Sequence, residues 1–502
     1  MVAPPAATAL QLLLSRPSLT AAQLRQVHAH LLVSSLLADR FFPNSLLRSL
    51  LPPSPSHSPL RALRLFPRLR RIVATNPLFP NAYTFSFLLT ASASLAPLAH
   101  AASPRILVSS LHALAIVVAC DAHAYVSNGL IHAYASCALL CSARRVFDVN
   151  VSCRDVCSWT SLLTAYGRAA RLDDARALFD AMPHKTTIAW GAMLSAYVGG
   201  GSFAEAVDVF QEMLRARVRP NRAVILSVLA ACGALGALEQ GRWVHALVAG
   251  HGAMAKDGMV GTALVDMYAK CGSLDTARQV FSGMAERDVF AYTAMISGLS
   301  DHGRSVEAIE LFGRMQEEGV RPNEVTLICV LSACGRAGGL VTRAREIFGS
   351  MAAVYGMEAG VEHYGSMVDV LGRAGMVEEA LDLVRRMPMR PDSYVLGAVL
   401  NACVARGDTE AGKEVAARMA ELGLDRHSGV QVQLSNLYAG RGKWEEVVGV
   451  RRGMEERKVP GCSMVVVDGV AREFVAGDQS QEPWIMDVAD QLDAQMRIHG
   501  HH

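Results

Sequence analysis

Eleven cysteines and sixteen histidines are the side chains of this 502-residue chain best suited to hold a metal or attack a substrate, and their spacing decides what they can do. A zinc-dependent cytidine deaminase needs a His-x-Glu segment and a Pro-Cys-x-x-Cys segment, because ligands and general acid/base must converge on one water. Neither pattern occurs in the sequence. Cys137 with Cys141, and Cys153 with Cys157, have three intervening residues and no evident second ligand pair, which argues against a metal centre. Gly199-Gly200-Gly201 lacks the Lys-Ser/Thr that completes a phosphate loop and reads as a turn between helices. His499, His501 and His502 cluster at the end and read as a tail. An odd, scattered set of cysteines offers no disulfide framework. Cys232, Cys334 and Cys403 each follow an alanine and are expected as reduced thiols in a core. No catalytic residue, cofactor or metal is expected.

The elements that carry the remaining polar groups must therefore explain the chain. Its length exceeds a usual single domain, so it is either several domains or one long repeat array. The longest near-apolar run, Ile106 to Cys120, contains Ser109, Ser110 and His112 and falls short of the ~20 residues that span a bilayer, so no membrane is expected as a partner. The net charge of +2 hides an asymmetry: residues 1–120 hold one acid, Asp39, against ten arginines. Met1 to Ala38 is acid-free and rich in Ala, Ser and Leu, with Arg16 and Arg25 interspersed, and residues 1–21 read as an organellar transit peptide.

A single pattern organises the rest, an Ala followed four residues later by Phe and then by Met. It recurs as Ala175-Phe179-Met182, Ala206-Phe210-Met213, Ala277-Phe281-Met284, Ala308-Phe312-Met315 and Ala344-Phe348-Met351. A weaker copy is Ala380-Val384-Met387, and Ala143-Phe147 and Ala62-Phe66 lie upstream. From Ala143 onward the spacing is 31 to 36 residues apart from one double interval, the size of a helix-turn-helix repeat. Apolar positions inside each copy run at helical spacing, as in Trp159, Leu162, Leu163 and Tyr166 followed by Ala175, Leu178, Phe179 and Met182. Turns such as Lys270-Cys271-Gly272-Ser273 and His302-Gly303-Arg304 separate the two helices. The small Ala admits a close helix approach and the Phe fills the groove between neighbouring repeats. The expected fold is all-α, an α-solenoid winding as a right-handed superhelix of roughly a dozen tandem helix-turn-helix repeats. Between Leu51 and Asn81 the repeats look degenerate, with Pro52, Pro53, Pro55 and Pro59 interrupting helices.

These repeats resemble those of plant pentatricopeptide repeat (PPR) proteins, in the PLS subfamily that mixes normal, long and short repeats. Ala263-Leu264-Val265-Asp266-Met267-Tyr268-Ala269-Lys270-Cys271-Gly272 resembles its short repeat, and Leu235-Gly236-Ala237-Leu238-Glu239-Gln240-Gly241 with Val244-His245 resembles its long one. Val361-Glu362-His363-Tyr364 through Met387-Pro388 resembles the last short repeat before a C-terminal extension. Leu396 to Cys403, and Leu434 to Ala439 with Trp444-Glu445-Glu446-Val447, resemble the two halves of the family's E extension. Pro460-Gly461-Cys462-Ser463 resembles its Pro-Gly box, with Met464 where Trp is usual, and Glu473 to Asp478 resembles the start of an E+ segment that stops after one more helix. The resemblance divides the chain into degenerate repeats over 22–121, a mixed array over 122–392, an E-type, TPR-like extension over 393–460, and a partial E+ segment and tail over 461–502, an E/E+ type without a DYW deaminase domain.

The resemblance implies a non-enzymatic protein that binds single-stranded organellar RNA, each base read by two or three side chains of one repeat. In the family these are the fifth residue of the first helix and the last residue of the repeat, where Thr, Asn and Asp supply compact donors and acceptors. Carried to this chain, the pairs are Asn128 with Asp155, Thr160 with Thr186, Thr262 with Asp288, and Thr293 with Asn323. The family's code assigns uracil to the first, guanine to the third and adenine to the fourth. Asn221 and Asp392 pair with Gly191 and Gly365 and should discriminate weakly, while Leu226 and Ile328 of long repeats cannot hydrogen-bond. Tyr125, Ile188, Met259 and Phe290 stand at the second position, where they would pack on base faces; ordinary core packing is the competing reading, as helix capping is for each polar residue. The implied role is site recognition for C-to-U editing, with a trans-acting DYW-type deaminase and editing accessory proteins as partners. An RNA stability, splicing or translation factor is the alternative, and a peptide-binding scaffold a third. The mitochondrion is the expected destination, the chloroplast the alternative.

Overall fold

In the computed structural model, residues 26–27, 41–48, 50, 59–72, 80–95, 103–250, 252, 254–423, 428–452, 462–467 and 470–475 are described. The expected transit peptide, the Pro460-Gly461 pair, the residues after Val475 and the terminal histidines lie outside them. The chain folds as two compact units, residues 1–298 and 299–502.

The first unit holds α1 (Phe41–Arg48), α2 (Pro59–Ile72), α3 (Ala82–Leu95), α4 (Ser103–Val117), α5 (Ala124–Ser136), α6 (Leu140–Val149), α7 (Val156–Arg168), α8 (Leu172–Asp180), α9 (Thr187–Gly199), α10 (Phe203–Arg215), α11 (Arg222–Leu235), α12 (Leu238–Ala249), α13 (Gly258–Lys270), α14 (Leu274–Gly283) and most of α15 (Val289–Asp301). First helices stack in one layer, α3 on α5, α5 on α7, α7 on α9, α9 on α11 and α11 on α13. Each second helix wedges between two of them, as α6 does between α5 and α7.

The second unit repeats the plan with α16 (Ser305–Glu317), α17 (Glu324–Ala337), α18 (Val341–Ser350), α19 (Val361–Arg373), α20 (Val377–Arg385), α21 (Ser393–Arg406), α22 (Thr409–Glu421), α23 (Ser428–Ala439) and α24 (Trp444–Arg452). Here α17, α19, α21 and α23 form the first-helix layer. Both units are α-solenoids of helix-turn-helix repeats, and the described residues are all-α but for one hairpin.

The recurring Ala-Phe-Met pattern makes the core. Ala143, Ala175, Ala206, Ala277, Ala308, Ala344 and Ala380 are fully buried. The phenylalanines meet the fourth residue of the next first helix edge to face: Phe147 on Trp159, Phe179 on Trp190, Phe281 on Tyr292 and Phe348 on Tyr364, with centroids 4.7 to 5.1 Å apart. Such aromatic pairs add about 0.5–1.5 kcal/mol beyond area burial. Adjacent first helices approach so closely that a Cβ placed on Gly167 would stand 2.5 Å from the Cβ of Ala196. Gly272 and Gly303 turn the chain between helices with φ of +79° and +74°. Cys232, Cys334 and Cys403 are buried free thiols, and burial pushes Cys232 up to about 12 and the other two up to about 11, which leaves them inert.

Two elements depart from the sequence expectation. Pro59 opens α2 instead of interrupting a helix, because the first turn needs no amide there, and Pro67 lies within the same helix. At the C-terminal end β1 (Cys462–Val467) and β2 (Val470–Val475) pair antiparallel with Val467 opposite Val470. Asp468-Gly469 alone joins them in sequence, a dipeptide suited to a two-residue hairpin.

Candidate nucleic-acid interface

Each expected end-of-repeat residue caps the first helix of the following repeat. A helix leaves its first amides unpaired, and a short polar side chain just before it supplies an acceptor. Asp155 accepts from the amide of Ser158 at 2.8 Å, Thr186 from Ala189 at 3.4 Å, Asn221 from Val224 at 3.0 Å and Asp288 from Ala291 at 2.9 Å. In the second unit Asn323 accepts from Thr326 at 2.8 Å and Asp392 from Val395 at 2.9 Å. The capping reading therefore describes all six of these residues. Capping engages one side-chain oxygen of each.

The fifth-position residues behave less uniformly. Asn128 donates to both carboxylate oxygens of Asp155, at 3.1 and 3.0 Å, and accepts from the Ser158 hydroxyl at 2.5 Å. Burial works to raise the Asp155 carboxyl, but bonds from Ser158 and Asn128 outweigh it and hold the group below the usual carboxylate range. Thr160 turns inward, donating to the carbonyl of Val156 at 2.8 Å, and Thr293 does the same to Val289 at 2.7 Å. The Thr262 hydroxyl is buried without a hydrogen-bond partner. Thr293 belongs to the first unit and Asn323 to the second.

The second-position residues are exposed, not core: Tyr125 is 60% exposed, Ile188 64%, Met259 55% and Phe290 63%. Leaving such side chains in water costs the hydrophobic gain of burying them, so their alignment at one helical position sets them apart from scattered surface residues. Tyr83 of α3, at the same position, stacks on Tyr125 with centroids 6.1 Å apart, and His123 stacks on the same ring at 5.6 Å. Tyr394 of α21 and Val325 of α17 occupy this position in the second unit and are also exposed. A Cβ on Gly365 would stand 2.6 Å from the Tyr394 ring, which explains the missing side chain there.

A further pair lies upstream, where the sequence reading found only degenerate repeats. Asn44 of α1 donates to Asn81 at 3.1 Å and accepts from Thr84 at 2.7 Å, while Asn81 caps α3 by accepting from the Thr84 amide at 3.1 Å. This reproduces the Asn128–Asp155–Ser158 arrangement residue for residue. The signal was present in the helix-cap register, which Ala62-Phe66 alone could not fix.

Among the described residues no group of three or more His, Cys, Asp or Glu side chains could hold a metal, and no helix is long and apolar enough to cross a membrane.

Known proteins share this organisation. A PPR repeat model matches residues 157–185, 188–218, 262–289 and 362–390, a PPR repeat family model matches 287–336, and an E motif model matches 407–466. A pentatricopeptide repeat-containing protein of Arabidopsis thaliana is 34% identical over 425 residues, which are 83% of this chain and 78% of that protein. Another from the same plant, whose name places it as chloroplastic/mitochondrial, is 35% identical over 88% of this chain. The chain spans 43% to 64% of the length of several such relatives. The crystal structure of the pentatricopeptide repeat protein PPR10 from maize is similar with a TM-score of 0.45 and 18% identity, covering 86% of this chain and 72% of that one. With its repeats and E motif matched and a relative 34% identical of which it covers 78%, this chain belongs to the plant pentatricopeptide repeat family, in the PLS subfamily of E type.

Proposed function

We propose that the chain binds single-stranded RNA and directs C-to-U editing in an organelle, leaving the deamination to a DYW-type deaminase and its accessory proteins. The observation that carries RNA binding is the recurring arrangement on the first helices. An exposed Tyr, Ile, Met or Phe at the second position stands near a short polar pair at the fifth and capping positions. Unstacked bases offer both a face for packing and an edge for hydrogen bonds, and this pairing of side chains supplies both. Asn128 with Asp155, Thr160 with Thr186, and Thr262 with Asp288 read bases, helped by Asn221 and Asp392, and Thr293 of the first unit and Asn323 of the second are base-reading residues of the same types and positions. Tyr125, Ile188, Met259 and Phe290 support the base faces. We add Asn44 with Asn81, and Tyr83, as a further position of the same kind.

The E motif at 407–466 supports an editing factor over a stability or splicing factor. The organelle is supported by the name of the chloroplastic/mitochondrial relative and by the acid-poor N-terminal segment; we assign the mitochondrion. Organellar transcript sequencing of a line lacking the protein tests the proposal. One or a few cytidines that stay unedited are expected. Retained introns or altered transcript ends with every site edited would overturn editing in favour of RNA processing.

A further inference from the structure

The second unit carries an open cleft of ≈ 480 Å³ lined by the first helices α17, α19, α21 and α23. It continues past the last PPR repeat, matched at 362–390, into the E motif. Tyr394 presents an exposed ring on one side, and Asn401 is exposed beside it. Across the cleft the side-chain oxygen of Gln433 is buried with no hydrogen-bond partner. A buried unpaired acceptor costs about 1–3 kcal/mol, so it marks a place where a donor is wanted. Arg336 and Arg373 also line the cleft; Arg336 donates to Ser300 Oγ and to Asp301, both at 2.8 Å, and Arg373 to Asp369 at 2.7 Å, and a guanidinium has five N–H donors in all.

Gly397, at the fifth position of α21, lines the cleft. A Cβ on Gly397 would meet no atom within 4 Å, so that position opens onto free space. An aromatic face, an amide edge with an unmet acceptor, and guanidinium groups match the three parts of a nucleotide: base face, base edge and phosphate. A peptide could use the arginines and the ring, but it has less use for two amides set across from a single ring.

We infer that this cleft binds one RNA nucleobase beyond those read by the repeats, stacked on Tyr394 and hydrogen-bonded by Asn401 and Gln433. The inference rests on the RNA-binding reading above and extends it into the E motif, which thereby contacts RNA itself. Through it the extension would fix the distance between the array and whatever follows on the RNA.

The full-length protein, its Gly397→Leu variant and its Gln433→Leu variant are each incubated with a randomised single-stranded RNA pool, and the bound RNA is sequenced. Gly397→Leu puts a branched side chain at a position that lines the cleft and where its Cβ meets no neighbour, and it replaces a poor helix former with a good one, so it should fold. The wild type should enrich a motif with one more constrained terminal position than either variant. An abasic nucleotide at that position should weaken wild-type binding about tenfold, as loss of one stacked base does, and leave Gly397→Leu binding unchanged. Equal motifs and equal abasic responses in all three proteins would overturn the inference and leave the cleft to a protein ligand. Failure of the wild type to enrich any RNA would instead overturn the RNA-binding reading itself.

Discussion

Asn128 and Asp155 spend their hydrogen bonds on each other, whereas the hydroxyl of Thr262 is buried and spends none. On the proposed reading, a base at the first pair competes with an existing bond, while one at Thr262 relieves an unmet one. Thr262→Val removes the hydroxyl at nearly constant volume, so thermal unfolding should shift little or upward, while discrimination between matched and mismatched RNA at that position falls roughly fivefold. A marked loss of stability without loss of discrimination would show the hydroxyl to be structural. The sequence supplied the register of these pairs wherever the Ala-Phe-Met pattern was intact. It missed Asn44–Asn81, Tyr83 and Tyr394, because those repeats lack a full copy of the pattern and are placed only by which residue caps which helix. Nor could it tell core from surface for Ile188 and Met259, since a lone apolar residue in a helix's first turn looks the same in either place.

Helices and turns carry strain and proton linkage that single residues do not reveal. Ala170 turns the chain between α7 and α8 with φ of +54°, where Gly272 and Gly303 serve the equivalent turns of other repeats. An L-residue there costs about 1–2 kcal/mol, so Ala170→Gly should raise stability by up to about 1 kcal/mol, read as a higher denaturant midpoint. Between neighbouring repeats His245 of α12 meets the hydroxyl of Tyr268 on α13 at 2.9 Å, and His112 of α4 meets Tyr134 on α5 at the same distance. Burial holds both imidazoles below their ordinary value of 6.5, with Asp121 opposing the shift at His112. The unfolded chain therefore takes up these protons first as pH falls. Stability is full above about pH 6.5 and declines below it until the folded imidazoles also titrate. Thermal melts at stepped pH should show this slope, and the double variant His112→Gln/His245→Gln should reduce it, leaving the share of His132, which burial and Arg168 also hold below its ordinary value. The helix pairs were legible from 3.6-residue periodicity. The hairpin β1–β2 lies outside the sequence expectation, although its valine-rich strands and Asp468-Gly469 carry the usual signal.

For the chain as a whole, 48 basic residues nearly balance 46 acidic ones, and many of the basic groups are engaged on the second helices. Arg176 bridges to Glu212, Arg345 to Glu379 and Arg385 to Glu414, each joining successive second helices. Exposed pairs of this kind add at most about 1 kcal/mol each, and they remove arginines from contact with phosphate. RNA binding should therefore weaken less than about a hundredfold between 50 and 200 mM salt, well short of the loss for a protein making many phosphate contacts. A steeper slope in a filter-binding titration would show that charge, not base reading, holds the RNA. The capping bonds of Asp155, Thr186, Asn221, Asp288, Asn323 and Asp392 set a limit of another kind. A residue that must start a helix is drawn from a vocabulary of Asn, Asp, Ser and Thr, so if these residues read bases as proposed, half of every recognition word is spelled in letters chosen by the backbone. Retargeting this array by mutation is confined to exchanges within that vocabulary, and a swap outside it loses a repeat joint along with the base it was meant to change.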